Sequence, residues 1–187
     1  AMGFPNAGAD NIYNNIKKKP SYDICIGSNL GKNKDTSTEN TPLEYAYLYE
    51  KFAPISDYLV INISSPNTPG LRSFQKKDLL LPILEAVNEK RQKSPKPIYI
   101  KIAPDLADDD LKMICELSKE MSFSGIIATN TTIQHDYGVG GVSGKFIKSI
   151  AKNMRDKACE ILREDPSQNI IGVGGIDSYS DIKNFWK

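Results

Sequence analysis

Apolar positions in this chain change their spacing in a regular alternation. Short runs rich in β-branched residues read as strands: Tyr22–Asn29 (YDICIGSN), Tyr58–Ser64 (YLVINIS), Ile98–Ala103 (IYIKIA), Gly125–Thr129 (GIIAT) and Asn169–Val173 (NIIGV). Longer segments with helical spacing follow them. Leu79, Ile83, Leu84 and Val87 predict one helix with a single buried stripe, and Leu111, Ile114, Cys115 and Met121 predict a second. Asp108, Asp109 and Asp110 open that second helix, where acids suit the positive end of the helix dipole. Phe146, Ile147, Ile150, Ala151, Met154, Ala158, Ile161 and Leu162 mark the last long helix. Strand and helix in alternation predict βα units around a parallel sheet. There is no repeat, linker or low-complexity stretch, so residues 1–187 read as one domain.

A doubly wound sheet and a (β/α)8 barrel share this alternation and differ in where ligand groups collect. Here Asn29, Asn62 with Ser64 and Ser65, Lys101, Thr129-Asn130-Thr131 and Gly174-Gly175 each sit at the carboxyl end of an expected strand or just after it. In a barrel every strand delivers its end to one site, whereas a doubly wound sheet concentrates ligand groups at a single switch point. The pattern therefore favours a (β/α)8 TIM-type barrel with five of the eight units in this chain.

Composition narrows the partners. The 187 residues are 40% hydrophobic and 25% charged, ordinary for a globular chain, and 24 Lys+Arg against 23 Asp+Glu leave a net charge of +1. No basic field points to nucleic acid. Cys25, Cys115 and Cys159 are odd in number and widely spaced, which fits reduced thiols better than a disulfide framework. No metal-ligand cluster is present, and no apolar run approaches the roughly 20 residues that span a bilayer. The start at Ala1-Met2-Gly3-Phe4 and the stop at Asn184-Phe185-Trp186-Lys187 read as cuts through a longer protein.

Common catalytic motifs fail. Neither Gly138–Ser143 (GVGGVS) nor Gly172–Asp177 (GVGGID) completes a dinucleotide-binding glycine pattern, and Gly144-Lys145 is not a Walker loop. Gly174-Gly175 remain open between phosphate contact and plain turn geometry. The lone histidine, His135, lies in the polar stretch TTIQHDYG with no nucleophile nearby and reads as a solvated loop residue. Sequons at Asn62 and Asn130 fall at strand ends in a chain without a secretory signal, so they are set aside. What remains at the strand ends is mostly amides and hydroxyls. Such a set suits a planar hydrogen-bonding ligand and a cofactor that performs the redox step.

The most informative segment is Asn62–Arg72, NISSPNTPGLR. Its composition alone describes a turn-rich loop. It equally describes a stiff loop over a site, with Pro66 and Pro69 limiting its conformations. Lys101, with apolar Ile100, Ile102 and Ala103 around it, reads as functional more readily than as a surface lysine.

At this loop a resemblance becomes specific. INISSPNTPGLR resembles the active-site loop of the class 2, quinone-dependent dihydroorotate dehydrogenases, in which serine stands where class 1 enzymes carry cysteine. SNLGKNKDT (Ser28–Thr36), IKIAPDL (Ile100–Leu106), IATNTT (Ile127–Thr132), GGVSG (Gly140–Gly144) and IIGVGGIDS (Ile170–Ser178) resemble the family's other blocks, in its order and with about its spacing. The blocks span nearly the whole chain but only the middle of a family member.

The resemblance implies an FMN enzyme of pyrimidine synthesis that oxidises dihydroorotate to orotate and passes electrons to ubiquinone or menaquinone. It implies that Asn29, Asn62, Lys101 and Thr129 hold the flavin ring and ribityl region, and that Gly144 and Gly175 approach its phosphate-bearing tail. A fixed cation at Lys101 would favour the anionic reduced flavin. Asn62, Asn67, Asn130 and Thr131 match residues that bind the substrate ring and carboxylate. Ser65 matches the base that takes the C5 proton while hydride leaves C6, and Thr68 and Phe4 match the residues that flank its proton relay. Serine alone is a very poor base, so desolvation and that relay must help it.

The resemblance also implies missing parts: an asparagine before Met2, the first two barrel strands, the eighth strand, and the N-terminal helices that take up quinone. The loop after Thr132 is shorter than in some relatives. Through the absent helices the parent protein is expected to be peripheral on the cytoplasmic face of a bacterial inner membrane, or alternatively on the mitochondrial inner membrane. Two other readings stay open: a non-catalytic fragment, and a different FMN barrel such as a class 1 enzyme, against which Ser65 and the TPGLR continuation argue.

Overall fold

The computed structural model describes residues 4–18 and 23–185, so Met2 and the Tyr22 start of the first expected strand lie outside them. In order the elements are α1 (Ala9–Lys17), β1 (Gly27–Leu30), α2 (Thr41–Phe52), β2 (Tyr58–Asn62), α3 (Lys77–Arg91), β3 (Ile98–Ile102), α4 (Asp108–Glu120), β4 (Gly125–Ala128), α5 (Lys148–Leu162), β5 (Asn169–Gly172) and α6 (Tyr179–Phe185). Single 3-10 turns run over Ala53–Ile55, Leu71–Gln75 and Gly144–Ile147. Among the described residues the strands form one sheet in the order β1-β2-β3-β4-β5, with every neighbouring pair parallel.

Sequential order decides between the two architectures, because a doubly wound sheet reverses its order at the switch point and this sheet does not. The core gives the same answer. Leu30, Leu59, Ile61, Ile98, Ile100, Ile102, Ile126 and Ala128 bury one face of the sheet against α2, α3, α4 and α5. A parallel strand is paired by way of a crossover helix, and here these crossovers pack on one face, as in a (β/α)8 barrel. The chain carries five consecutive βα units of that fold.

Two expectations need correction. The first strand is shorter than Tyr22–Asn29. Its partner β2 begins only at Tyr58, opposite Gly27, so earlier residues have no ladder to join and Ile24 is exposed. A short clasp, Asp57 N–H to the Ile26 carbonyl at 2.8 Å and Ile26 N–H to the Asp57 carboxylate at 2.7 Å, closes the pairing there. The last long helix starts at Lys148 rather than at Phe146, whose ring is exposed in the preceding 3-10 turn and packs edge-on against Tyr137 and His135.

Candidate functional site

Side chains alternate across a strand, so register fixes which residues share a face. Asn29 pairs with Val60, Asn62 with Lys101, and Lys101 with Ile127, two residues before Thr129. Asn29, Asn62, Lys101 and Thr129 therefore project from the sheet face opposite the helices, all at the carboxyl ends of their strands. Asn62 and Thr129 are buried and Asn29 is exposed on the edge strand. The Ala128–Thr129 peptide is cis.

The polar network around the β2–α3 loop sets the chemistry. Asn130 Nδ2 donates to Ser64 Oγ at 3.1 Å, and Ser64 Oγ donates to Asn62 Oδ1 at 3.0 Å, which also accepts the Ser64 N–H at 3.2 Å. Asn62 thus spends its oxygen inside the protein and keeps its amide nitrogen as an unused donor. Three buried polar atoms lack any partner among the described residues: Asn62 Nδ2, Asn67 Oδ1 and Thr131 Oγ1. Buried polar groups are nearly always paired, so these three orphans, on the β2 end and on the loops after β2 and β4, are able to meet a hydrogen-bonding ligand. Together they supply a donor, an acceptor and a hydroxyl able to do either. Asn130 is not among them, because its Oδ1 accepts the Thr131 N–H at 2.8 Å while its Nδ2 is held by Ser64.

Ser65 is 3% exposed, and its Oγ accepts the Asn67 N–H at 3.3 Å, a contact that stabilises negative charge on the oxygen. Lys101 has no carboxylate or carbonyl partner among the described residues, and burial alone lowers its ammonium pKa. An unpaired, half-desolvated cation whose strand neighbour Asn62 carries an unused amide donor fits an electron-rich or anionic ring system.

A cavity of about 810 Å3 opens beside β1 and is lined in part by Phe4, Asn29, Lys32, Asn67 and Thr68. It reaches the candidate site at its margin, since Ser65, Asn62, Lys101 and Thr129 face the open side of the sheet instead. Phe4 and Thr68 both line this cavity.

The loops after β4 and β5 complete the surroundings. A Cβ on Gly141 would lie 1.9 Å from Thr131 Oγ1 and 2.9 Å from Pro66, so only glycine lets this strap close on the site. Thr132 and Val142 bridge the strap's two limbs. Gly175 has φ +71° and a Cβ there would meet the Lys148 backbone at 2.5 Å, so turn geometry and close packing suffice to require glycine. Gly144 opens the 3-10 turn ahead of α5 with no atom near its missing Cβ. His135 is half-buried rather than solvated: Nδ1 accepts the Tyr137 N–H at 3.1 Å, which leaves Nε2 to donate to the Gly140 carbonyl at 2.8 Å.

Arg72 and Asp105, to which sequence reasoning assigned no role, knit the loops together. Arg72 donates to the Ser64 carbonyl at 3.0 Å, to Asp105 at 2.6 Å and to the Thr131 carbonyl at 2.6 Å. Asp105 also accepts the Thr132 hydroxyl and, at 3.1 Å, the Ile133 N–H. Both residues lie inside stretches singled out in the sequence, TPGLR and IAPDL, but nothing in a linear pattern reveals contacts 33 and 59 residues apart.

The family model for dihydroorotate dehydrogenase matches residues 1–186. Proteins named dihydroorotate dehydrogenase (quinone) from Aliivibrio fischeri (strain MJ11) and Vibrio atlanticus are 41% and 42% identical over 97% of this chain and 57% of their own length. A crystal structure of DHODH from Eimeria tenella in complex with ferulenol superposes with a TM-score of 0.87 at 29% identity, covering 96% of this chain and 56% of that one. The chain thus spans a little over half the length of the relatives it matches.

Proposed function

This chain belongs to the dihydroorotate dehydrogenase family, and from that premise we propose that the protein it represents oxidises dihydroorotate to orotate with bound FMN and passes the electrons to a quinone. The observation that carries the reading is the trio of buried, unpartnered atoms, Asn62 Nδ2, Asn67 Oδ1 and Thr131 Oγ1, around a buried Ser65. A dihydroorotate ring offers carbonyls, N–H groups and a carboxylate, and the trio is complementary to such edges. FMN held by Asn29, Asn62, Lys101 and Thr129, with its phosphate near Gly144 and Gly175, would accept the two electrons of the oxidation.

In this reading Asn62, Asn67, Asn130 and Thr131 orient the substrate, and Ser65 Oγ takes the proton from C5. The Asn67 N–H stabilises the oxygen as it gives up its own proton, and low exposure keeps water from competing. Thr68 and Phe4 line the cavity at the margin of the site, and in this reading the proton is relayed past them. The family supports a flavin; FMN as its particular form rests on the resemblance of the site residues. The quinone is supported by the names of the relatives. Among the described residues no helix is long and apolar enough to cross a membrane. Peripheral attachment, through parts of the protein outside these 187 residues, is the location that best suits a quinone partner, and the bacterial relatives favour an inner membrane.

The test uses the full-length protein. It should purify yellow, be bleached by dihydroorotate, and regain its colour with a short-chain quinone but not with fumarate or NAD. Recovery with fumarate or NAD would transfer the protein to a class 1 reading, and a colourless, unbleachable protein would sink the enzymatic reading.

A further inference from the structure

Arg72 lies in the 3-10 turn Leu71–Gln75 that follows the Ser65 loop, and its side chain reaches back to three loops at once. Its Nε holds the carbonyl of Ser64 in the β2–α3 loop, Nη1 holds Asp105 in the β3–α4 loop, and Nη2 holds the carbonyl of Thr131 in the β4–α5 loop. The pair is largely withdrawn from solvent, with side-chain exposures of 18% for Arg72 and 8% for Asp105. Asp105 is itself fixed by the Thr132 hydroxyl and the Ile133 N–H. A guanidinium offers donors in fixed directions on a rigid plane, whereas a lysine ammonium is a single point on a flexible stem.

The identity of the held atoms matters. The Ser64 carbonyl belongs to the peptide bond that leads into Ser65, and the Thr131 carbonyl belongs to the residue whose hydroxyl is one of the orphaned atoms. Loops at the carboxyl ends of barrel strands are the freely variable part of such folds, yet a reacting base must stay within about 0.5 Å of its working position. We infer that Arg72, locked by Asp105, is the positioning residue that keeps Ser65 and Thr131 in one fixed relation to the substrate. This rests on the dihydroorotate oxidation proposed above.

The test compares full-length, flavin-loaded wild type with Arg72→Lys, Arg72→Gln and Asp105→Asn by anaerobic stopped flow. A misplaced base slows only the half-reaction that uses it. Bleaching by dihydroorotate should fall roughly 100-fold in Arg72→Gln, a loss typical of misplacing a reacting group by about 1 Å. It should fall less in Arg72→Lys and Asp105→Asn, while reoxidation by a short-chain quinone stays within about twofold of wild type. If Arg72→Gln does not fold, the two milder variants carry the test. Bleaching within about twofold of wild type in every folded variant, or equal losses in both half-reactions, would overturn the inference. A wild type that dihydroorotate does not bleach would instead overturn the functional reading, and this inference with it.

Discussion

Asn62 shows how a buried side chain can be held with one hydrogen-bonding atom satisfied and the other left over. With Oδ1 taken by Ser64, rotation of its amide would break two bonds, so Nδ2 stays buried without a partner among the described residues. Such an arrangement costs stability, and that cost is testable. Thr131→Val removes an orphaned hydroxyl and should raise the melting temperature, by about 1 kcal/mol in stability, while weakening orotate binding at least tenfold. Orotate titration of the full-length protein would check it, and unchanged affinity would remove Thr131 from the site. Lys101 makes a parallel case. Burial lowers its folded pKa below the unfolded value, so the unfolded chain binds the proton more firmly and stability rises as pH climbs through the folded pKa. Lys101→Met should therefore melt higher than wild type near neutral pH, with the gap closing in alkali, and should lose flavin. Melting curves and flavin spectra across pH check both halves. At this scale the chain is only half legible. Ser65, Asn67 and Thr131 stand out through resemblance, but a loop arginine looks like any other until folding brings three loops to it.

The elements were read most easily where burial is two-sided or periodic. β2, β3 and β4 lie close to their expected limits because β-branched residues fill them and the register leaves little freedom. The stripes of α3 and α4 follow from core-facing Ile83, Leu84, Val87, Leu111, Ile114 and Cys115. α2 carries weaker signals in the sequence: Pro42 in the first turn, and Tyr45, Tyr49 and Phe52 on one buried face. Phe146 misled because an aromatic next to a helix extends the apolar stripe, and only the glycine-rich approach explains its turn. Cys115, deep on α4, has its thiol pushed up to about 12 by desolvation, from an ordinary value of 9.0. The folded state then holds more protons than the unfolded one above about pH 9, so Cys115 makes stability fall as alkali is added. Exposed Cys25 and Cys159 should react with a thiol reagent in the native protein, and Cys115 only on unfolding. Three fast thiols would contradict the packing of α4. In the strap, Gly141→Ala must displace Thr131 or Pro66, so orotate affinity should drop while far-UV circular dichroism is unchanged.

At the scale of the whole molecule, one sheet in sequential order with its crossover helices on one face brings five strand ends to a single side. That arrangement explains why residues as distant as Asn29, Ser65, Lys101 and Thr131 stand at one end of the sheet, and why strand-end polarity is a sound guide to the fold. β1 and β5 each pair on one side only among the described residues, and the chain covers 57% of the length of its Aliivibrio and Vibrio relatives. The central claim is that Ser65 is the base in a dihydroorotate-oxidising site. Its most direct test is anaerobic flavin bleaching by dihydroorotate in full-length wild type and Ser65→Ala, followed from acid to alkaline pH. The account predicts that Ser65→Ala keeps its flavin and binds orotate but reduces roughly 100- to 10,000-fold more slowly, and that the wild-type rate rises with pH. A Ser65→Ala protein that bleaches at the wild-type rate would contradict it.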